Sequence, residues 1–331
     1  MNPLRRQLLA ASLGLPLGAL PLLAGCTRPE PLVRVAGIAW VGYEALFLAR
    51  ERGYYDNARL RLIELPSGTA NKMALASGEV EAATMTLDEL LIVRESRLDL
   101  QVILVFDDSA GADVIMVRPS IKNLAQLRGQ RIGVEESAVG ALMLAQLLAA
   151  AQLQPADVIK VPVTSDRHVA AYAAGEIDVV VCFEPYATQL AKRGAQRLLD
   201  SSRFPGVIVD LLVARSDALA ASPKQFRQLA AGYFRALDFL AQSPAQALAL
   251  MAPRMGISPD EVQQALKGVR LMDLAANHAL LGGGTPQLPA LAGTVGKFMA
   301  QAGLLRATPT LDQFMSPDSL PALPPLPKEA A

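Results

Sequence analysis

The chain has 331 residues, of which 52% are hydrophobic and 19% are charged, and Lys+Arg and Asp+Glu are equal at 31 each. This composition is typical of a folded globular protein that is long enough for two domains, and it excludes an intrinsically disordered chain. The even charge balance gives no reason to expect a nucleic-acid partner.

The N-terminal segment has the pattern of a bacterial export signal. Arg5 and Arg6 precede an apolar run that ends in Leu23-Ala24-Gly25-Cys26. A basic start, an apolar stretch and a small-residue site predict a cleaved lipoprotein signal peptide over residues 1–25, with lipid attachment at Cys26. Prolines interrupt the run, which is shorter than the roughly 20 residues that a membrane-spanning helix needs. Both the general and the twin-arginine export routes fit this pattern.

Residues 26–32 are predicted to be a short extended tether, because two prolines there disfavour helix. The folded body then begins near residue 33. Cys182 is the only cysteine left in that body, which excludes an internal disulfide. Without the two leader arginines the formal charge is 29 − 31, or −2.

From residue 33 to residue 217, apolar strand-like runs alternate with amphipathic helical segments. This alternation predicts parallel sheets covered by helices. Strands are expected at 33–38, 60–65, 82–86, 101–106, 114–117, 131–134, 158–163, 177–183 and 207–213. Helices are expected at 44–52, 70–77, 87–96, 138–151, 167–174 and 186–193. Gly53, Gly78, Gly175 and Gly194 follow helical patterns where left-handed caps are usual.

After residue 217 the pattern becomes helical, with segments expected at 223–242, 244–251, 259–267 and 288–302. Proline stands near several of the starts, as is typical of a first helical turn. The last segment, 316–331, carries five prolines, so we expect it to be extended and partly mobile.

Two segments differ from the other strands because each has an acid, an apolar run and an arginine in that order. They begin at Asp113 and Asp210 and bracket a block that has the pattern of a compact α/β unit. We interpret them as two crossings between lobes, since a hinged two-lobe protein closes around a ligand in its cleft. The alternative is that both are edge strands.

Four stretches in this order resemble the periplasmic solute-binding proteins of ABC importers, in the family that takes up nitrate, sulfonates, taurine and thiamine-pyrimidine precursors. They are residues 40–43, 46–49 and 53–55 (WVGY, LFLA, GYY); 66–68 with 74–83 (PSG, ALASGEVEAA); 121–134 (IKNLAQLRGQRIGV); and 174–186 (AGEIDVVVCFEPY). Phe183 stands where many members of this family have tryptophan.

The resemblance implies a type II periplasmic-binding-protein fold, an α/β fold of two lobes joined by two hinge crossings. Lobe I is expected over 33–115 and 212–315, lobe II over 116–211, and the C-terminal helices on lobe I. The implied partners are a small-molecule solute, an ABC permease with its ATPase, and a membrane reached through the lipid anchor. The protein would act in the periplasm, and the sequence leaves open which bacterial membrane holds the anchor.

Ligands of open α/β sheets bind beyond the carboxyl ends of strands, so the loops there hold the candidate binding residues. After the first strand come Trp40 and Tyr43, whose rings suit a planar or cationic solute. Ser67, Gly68 and Thr69 open a helix and present N–H groups and hydroxyls. The remaining candidates are Thr86, Asp108, Ser137, Glu184 and Asp210, with Glu184 the strongest by resemblance. Each also has a simpler role in a core, a helix cap or a hinge.

These loops contain many acids and few cations, with Arg167 and His168 the basic candidates. A buried anion normally needs arginine, lysine or a cluster of N–H donors. We therefore predict a nitrogen-bearing solute such as an amine or an aminopyrimidine. A sulfonate, taurine or nitrate ligand is the alternative within the same fold.

Catalysis is not expected, although relatives of this fold include pyrimidine synthases. Two histidines and one body cysteine make a transition-metal site unconvincing, and no nucleophile elbow or phosphate-binding loop is present. No cofactor is predicted. A sensory lipoprotein that uses the same clamp is the further alternative.

Overall fold

A computed structural model describes residues 31–307 and 310–323. The predicted signal peptide and Cys26 lie outside the described residues, as does 324–331. Strands of the described part are β1 (Val33–Gly37), β2 (Leu60–Glu64), β3 (Ala82–Thr86), β4 (Leu100–Ser109), β5 (Asp113–Val117), β6 (Arg131–Val134), β7 (Ile159–Pro162), β8 (Val179–Phe183), β9 (Gln196–Asp200), β10 (Val209–Arg215) and β11 (Val269–Leu271).

The helices alternate with these strands and then dominate the C-terminal part. They are α1 (Glu44–Glu51), α2 (Gly68–Ser77), α3 (Leu87–Glu95), α4 (Ala138–Ala151), α5 (His168–Ala173), α6 (Tyr186–Ala191), α7 (Ser216–Ala221), α8 (Pro223–Gln242), α9 (Pro244–Met255), α10 (Pro259–Leu266), α11 (Leu274–Leu281) and α12 (Leu288–Gln301). The four glycines predicted as helix caps all have left-handed φ angles, between 63° and 86°.

The strands form two sheets, one in each lobe. The first has the order β11-β4-β10-β3-β1-β2 and the second has the order β7-β6-β8-β5-β9. Parallel pairing joins β1 to β2 and β3, and β6 to β7 and β8. The expectation of parallel sheets holds for these pairs only, because β10 pairs antiparallel with β3 and β4, and β5 pairs antiparallel with β8 and β9. These two strands follow the crossings and enter their sheets in the reverse direction.

The chain passes between the two sheets twice, as predicted for a hinged two-lobe fold. β4 ends in the first sheet at Ser109 and β5 begins in the second at Asp113, whereas residues 201–208 lead back from β9 to β10. The chain therefore crosses between the sheets at 110–112 and at 201–208. The predicted lobe boundaries, 115–116 and 211–212, fall inside β5 and β10 instead. The segments with an acid, an apolar run and an arginine are β5 and β10, and each lies wholly in one sheet, because its hydrogen bonds to the neighbouring strands run along its length.

The C-terminal helices pack on the first lobe, as predicted. α8 contacts α1 and α9, α11 contacts β4, and α12 contacts α3. On α8 the buried residues Phe226, Leu229 and Tyr233 recur at helical spacing and form its apolar face. No helix among the described residues has both the length and the apolarity to cross a membrane.

The segment from 310 to 323 is held against the first lobe. Phe314 is buried, and Val102 of β4 donates its N–H to the Phe314 carbonyl at 2.8 Å. Ser316 in turn donates to the Val102 carbonyl at 2.9 Å, and His278 Nε2 lies 2.8 Å from the Pro321 oxygen. These hydrogen bonds hold residues 314–316 and 321 against the first lobe.

Candidate functional site

A cavity lies between the two sheets, beside the two crossings. It encloses about 410 Å³, counting the part that is open to solvent. Most of its wall comes from the loops and strand ends that face the cleft, which is where ligands of open α/β sheets bind. The lining residues are Ile38, Trp40, Tyr43, Gly68, Thr84, Thr86, Glu89, Asp113, Glu135, Ser137, Val139, Phe183 and Asp210.

Three aromatic rings form one side of the cavity. The Trp40 ring, after β1, lies 5.7 Å from the Phe183 ring at the end of β8, edge to face, and 6.4 Å from the Tyr43 ring. Trp40 belongs to the first lobe and Phe183 to the second, so the two lobes meet through these rings. Such faces are suited to a planar or cationic group.

Two of these aromatic residues are oriented by buried acids. Trp40 Nε1 donates to Asp107 Oδ2 at 3.2 Å, and the Tyr43 hydroxyl donates to Asp210 Oδ1. Gly42 leaves room for the first contact, since a Cβ there would lie 1.8 Å from Asp107 Oδ2. The side chains are therefore positioned before any solute arrives, which lowers the entropic cost of binding.

Burial changes the protonation of the acids. It raises the pKa of Asp107 to about 8 and that of Asp113 to about 7. Burial, with the neighbouring Asp107, also raises the pKa of Asp210 well above its ordinary value. Because two adjacent carboxyl groups in a low dielectric do not both ionise easily, the Asp107 and Asp210 pair holds a proton near neutral pH.

The cavity lining is acidic and, among the described residues, contains no lysine, arginine or histidine. Glu89 is paired with Lys72, whose Nζ lies 3.3 Å from Glu89 Oε1. Asp113, Glu135 and Asp210 make no ion pair within the part of the chain that the structure describes. Nor does that part contain a group of three His, Cys, Asp or Glu side chains that could hold a metal ion. The site therefore attracts positive charge and hydrogen-bond donors.

Glu135, in the second lobe, contacts the first lobe at the N-terminus of α2. Its Oε1 accepts from the Thr69 N–H at 2.8 Å and from the Thr69 hydroxyl at 2.7 Å, and its Oε2 accepts from the Ser165 N–H at 3.2 Å. A carboxylate at a helix N-terminus is stabilised by the free N–H groups there. Glu135 thus links the two lobes across the cleft.

The structure brings six of the predicted binding residues to the cavity: Trp40, Tyr43, Gly68, Thr86, Ser137 and Asp210. Two more lie next to it and have structural contacts. Ser67 caps α2 by accepting from the Ala70 N–H at 3.2 Å, and Thr69 binds Glu135 as described.

Asp108 and Glu184 lie outside the cavity lining. Asp108 accepts from Arg270 and from the Gly206 N–H at 3.2 Å, which places it among the hinge residues. Glu184 accepts from the Thr188 N–H at 3.1 Å and so closes the first turn of α6. Successive side chains of a strand point to opposite sides, and at the end of β8 Phe183 takes the side that faces the cavity.

Sequence reasoning missed Thr84, Glu89, Asp113, Glu135 and Phe183 as lining residues. Thr84 shares a face of β3 with Thr86, so the period-two alternation could have identified it. Asp113 was interpreted only as part of a crossing. The sequence marks Phe183 only as a departure from the family pattern and does not predict that its ring lines the cavity. Glu135 directly follows β6, so the rule that ligands bind beyond the carboxyl ends of strands could have identified it.

The family model described as NMT1/THI5 like matches residues 41–247. The chain belongs to the NMT1/THI5-like family. Among curated relatives, a candidate binding protein of Brucella abortus is 25% identical over 259 residues, which cover 75% of this chain and 78% of the relative. A candidate aliphatic sulfonates-binding protein of Escherichia coli is 25% identical over 211 residues, covering 61% of this chain and 64% of the relative.

Solved structures show the same fold. The alkanesulfonate-binding protein SsuA of Xanthomonas axonopodis, bound to MOPS, has a TM-score of 0.70 at 18% identity and covers 85% of this chain and 96% of its own. The ligand-binding component of an ABC-type import system of Staphylococcus aureus has a TM-score of 0.72 at 15% identity, covering 88% and 98%. The desulfurization enzyme DszB follows at a TM-score of 0.60 and 19% identity, covering 87% and 97%. The fold of this NMT1/THI5-like chain is thus the periplasmic-binding-protein fold.

Proposed function

We propose that the protein is the solute-binding lipoprotein of an ABC importer and that it captures a small cationic or amine-bearing organic solute, such as an aminopyrimidine, between its two lobes. The observation that carries this proposal is the composition of the cavity wall: three aromatic rings and four carboxyl groups, with no basic side chain in the described lining. The two-lobe fold and the family support capture, and the predicted lipid anchor at Cys26 keeps the protein close to its permease.

The charge of the wall favours a cationic solute over an anionic one. A cation over Trp40 or Phe183 gains from the ring quadrupole, and each nearby carboxylate adds attraction that is strong where water is excluded. A sulfonate or nitrate would be repelled by the ionised form of Asp113 and would find no guanidinium or ammonium group in the described wall. Under this proposal the ligand of this chain differs in class from the sulfonates that the named relatives bind.

The only cysteine of the described residues does not support catalysis. Cys182 is buried, and burial raises the pKa of its thiol well above the ordinary value. A nucleophilic cysteine needs a thiolate, which this environment disfavours. This argues for binding and against an enzyme like DszB, despite the shared fold.

Calorimetry of the mature chain tests the ligand class. We expect binding of benzylamine or 4-aminopyrimidine and none of ethanesulfonate or nitrate. Asp113→Asn removes a carboxyl group that is ionised at pH 8 and should weaken amine binding at that pH by about tenfold or more, the value of one hydrogen bond to a charged group. Glu184→Gln is the matched control, because this acid lies outside the cavity lining, and it should bind as the wild type does.

Tight binding of ethanesulfonate or nitrate without any response to the amines would refute the cationic ligand. The anchor is tested separately, by replacing Cys26 with serine in cells. The wild-type protein should fractionate with membranes and the Cys26→Ser variant should not. Equal membrane association of the two would refute lipid attachment at Cys26.

A further inference from the structure

The cavity continues into the second lobe as a smaller chamber, which we call the His168 chamber. The two spaces share Asp113, Glu135, Ser137, Val139 and Phe183 as wall residues. The chamber is narrow: its empty volume is about 240 Å³ with open solvent included, but its interior has room for about one water-sized group. Its further wall residues are Gly140, Met143, His168, Val181 and Cys182. Most of this added wall is apolar, and the His168 imidazole is its main polar group.

His168 has one ring nitrogen engaged and one free. Its side chain is 1% exposed, and Nε2 lies 3.0 Å from the Val163 carbonyl oxygen. A carbonyl only accepts, so Nε2 carries the proton and Nδ1 is left as an acceptor. Nδ1 is buried and has no hydrogen-bond partner in the described structure. Burial lowers the pKa of His168 to about 4, so the ring is neutral at neutral pH.

A buried acceptor without a partner costs about 1–3 kcal/mol, and native proteins keep few of them. Buried polar atoms that lack partners in the folded chain call for an explanation, and an atom on a cavity wall is open to a water or to a donor group of a ligand. The aromatic side chains lead from the cavity toward it. The Phe183 ring lies 5.4 Å from the Tyr186 ring, which lies 6.5 Å from the His168 ring.

We propose that His168 Nδ1 accepts a hydrogen bond from a neutral N–H or O–H group of the bound solute, at the end opposite its cationic group. This rests on the proposed function and extends it: the solute is bifunctional, with a positive charge held by the rings and carboxyl groups of the cleft and a neutral donor in the His168 chamber. Because Nδ1 of the neutral imidazole is an acceptor, a purely apolar end of the solute would leave it unpaired and is disfavoured.

A pair of amines that differ in one hydroxyl group tests this directly. Tyramine and 2-phenylethylamine have the same ring and amine, and only tyramine carries a donor at the far end. We expect the wild type to bind tyramine about tenfold more tightly, as is typical when a buried group would otherwise stay unpaired. His168→Phe should bind both amines alike. His278→Phe is the matched control, because His278 also bonds a backbone carbonyl through Nε2 but does not line the cavity, and it should keep the preference.

Nitrogen NMR of the wild-type protein gives a second readout that needs no substitution. The chain has two histidines, so ¹⁵N-histidine labelling gives few signals. Tyramine should shift the His168 Nδ1 signal and leave His278 unchanged, whereas 2-phenylethylamine should shift neither. If both amines bind equally and His168 Nδ1 does not respond, the His168 inference is refuted and the cationic site stands. If the wild type binds neither amine, the proposed function fails and the inference fails with it.

Discussion

The protonation of Asp113 makes solute affinity depend on pH in a direction that can be worked out. Asp113 lines the cavity, and burial raises its pKa to about 7. A cation is attracted by the ionised carboxylate, so a proton on Asp113 competes with the solute. Affinity for a permanently charged cation must therefore rise as the pH rises through 7.

The size of this effect follows from the ionised fraction. With a pKa of about 7, Asp113 is about one-tenth ionised at pH 6 and about nine-tenths ionised at pH 8, so the apparent affinity rises about tenfold. The Asp107 and Asp210 pair contributes little below pH 8, because it holds its shared proton through most of that range. His168 stays neutral throughout, since burial lowers its pKa to about 4.

Tetramethylammonium is the suitable probe, because it has no titratable proton of its own. Calorimetry at pH 6, 7 and 8 should show the rise in affinity, and titrations in buffers of different ionisation enthalpy should show proton release on binding. In Asp113→Asn the dependence should largely disappear. Asp88→Asn is the matched control, because the pKa of Asp88 is also raised to about 7 by burial but Asp88 does not line the cavity. An unchanged pH dependence in Asp113→Asn would refute this reasoning.

Two other substitutions test the construction of the site. Glu135→Gln should weaken solute binding about tenfold, because the amide replaces a carboxylate that accepts charge-assisted hydrogen bonds. Small-angle scattering should show a more open cleft in this variant. The exposed Glu136→Gln should change neither the affinity nor the scattering, and equal behaviour of the two variants would contradict the interlobe role of Glu135. Gly42→Ala should lower the free energy of unfolding by about 1–3 kcal/mol in thermal unfolding, because its Cβ would clash with the buried Asp107 carboxylate. Gly293→Ala in α12 has open space around it and should be neutral or stabilising, so an equal loss in both would contradict the clash.

Local patterns were sufficient for most elements of the fold. The predicted bounds of α4, α8, β3 and β6 agree with the structure, because helical spacing, caps and apolar runs act over a few residues. β9 and β11 were missed. The five residues of β9 mix polar and apolar side chains, and β11 has three residues whose strand conformation depends on pairing with β4. The orientation of β5 and β10 also depended on partners that are distant in the chain.

The candidate site was predicted less completely. Trp40, Tyr43 and Asp210 are predicted binding residues that line the cavity. They could be predicted because they lie close to strand ends at the cleft. The resemblance favours Glu184, but the Glu184 carboxylate caps α6, whereas its neighbour Phe183 lines the cavity. Which of two adjacent residues faces a cavity depends on the register of the strand in the sheet, and no local pattern decides that register here.

The sequence by itself predicted most of the order of the elements, because residue types and short-range spacing act over a few residues, and its resemblance to a family implied the two-lobe fold. Only the tertiary structure decided the protonation of the site. The contacts of Trp40 with Asp107 and of Tyr43 with Asp210 join residues that are 67 and 167 positions apart in the chain. The burial that raises the pKa values of these two acids and keeps His168 neutral exists only after the lobes have packed. A pKa shift measures desolvation and proximity, and both are properties of the folded chain.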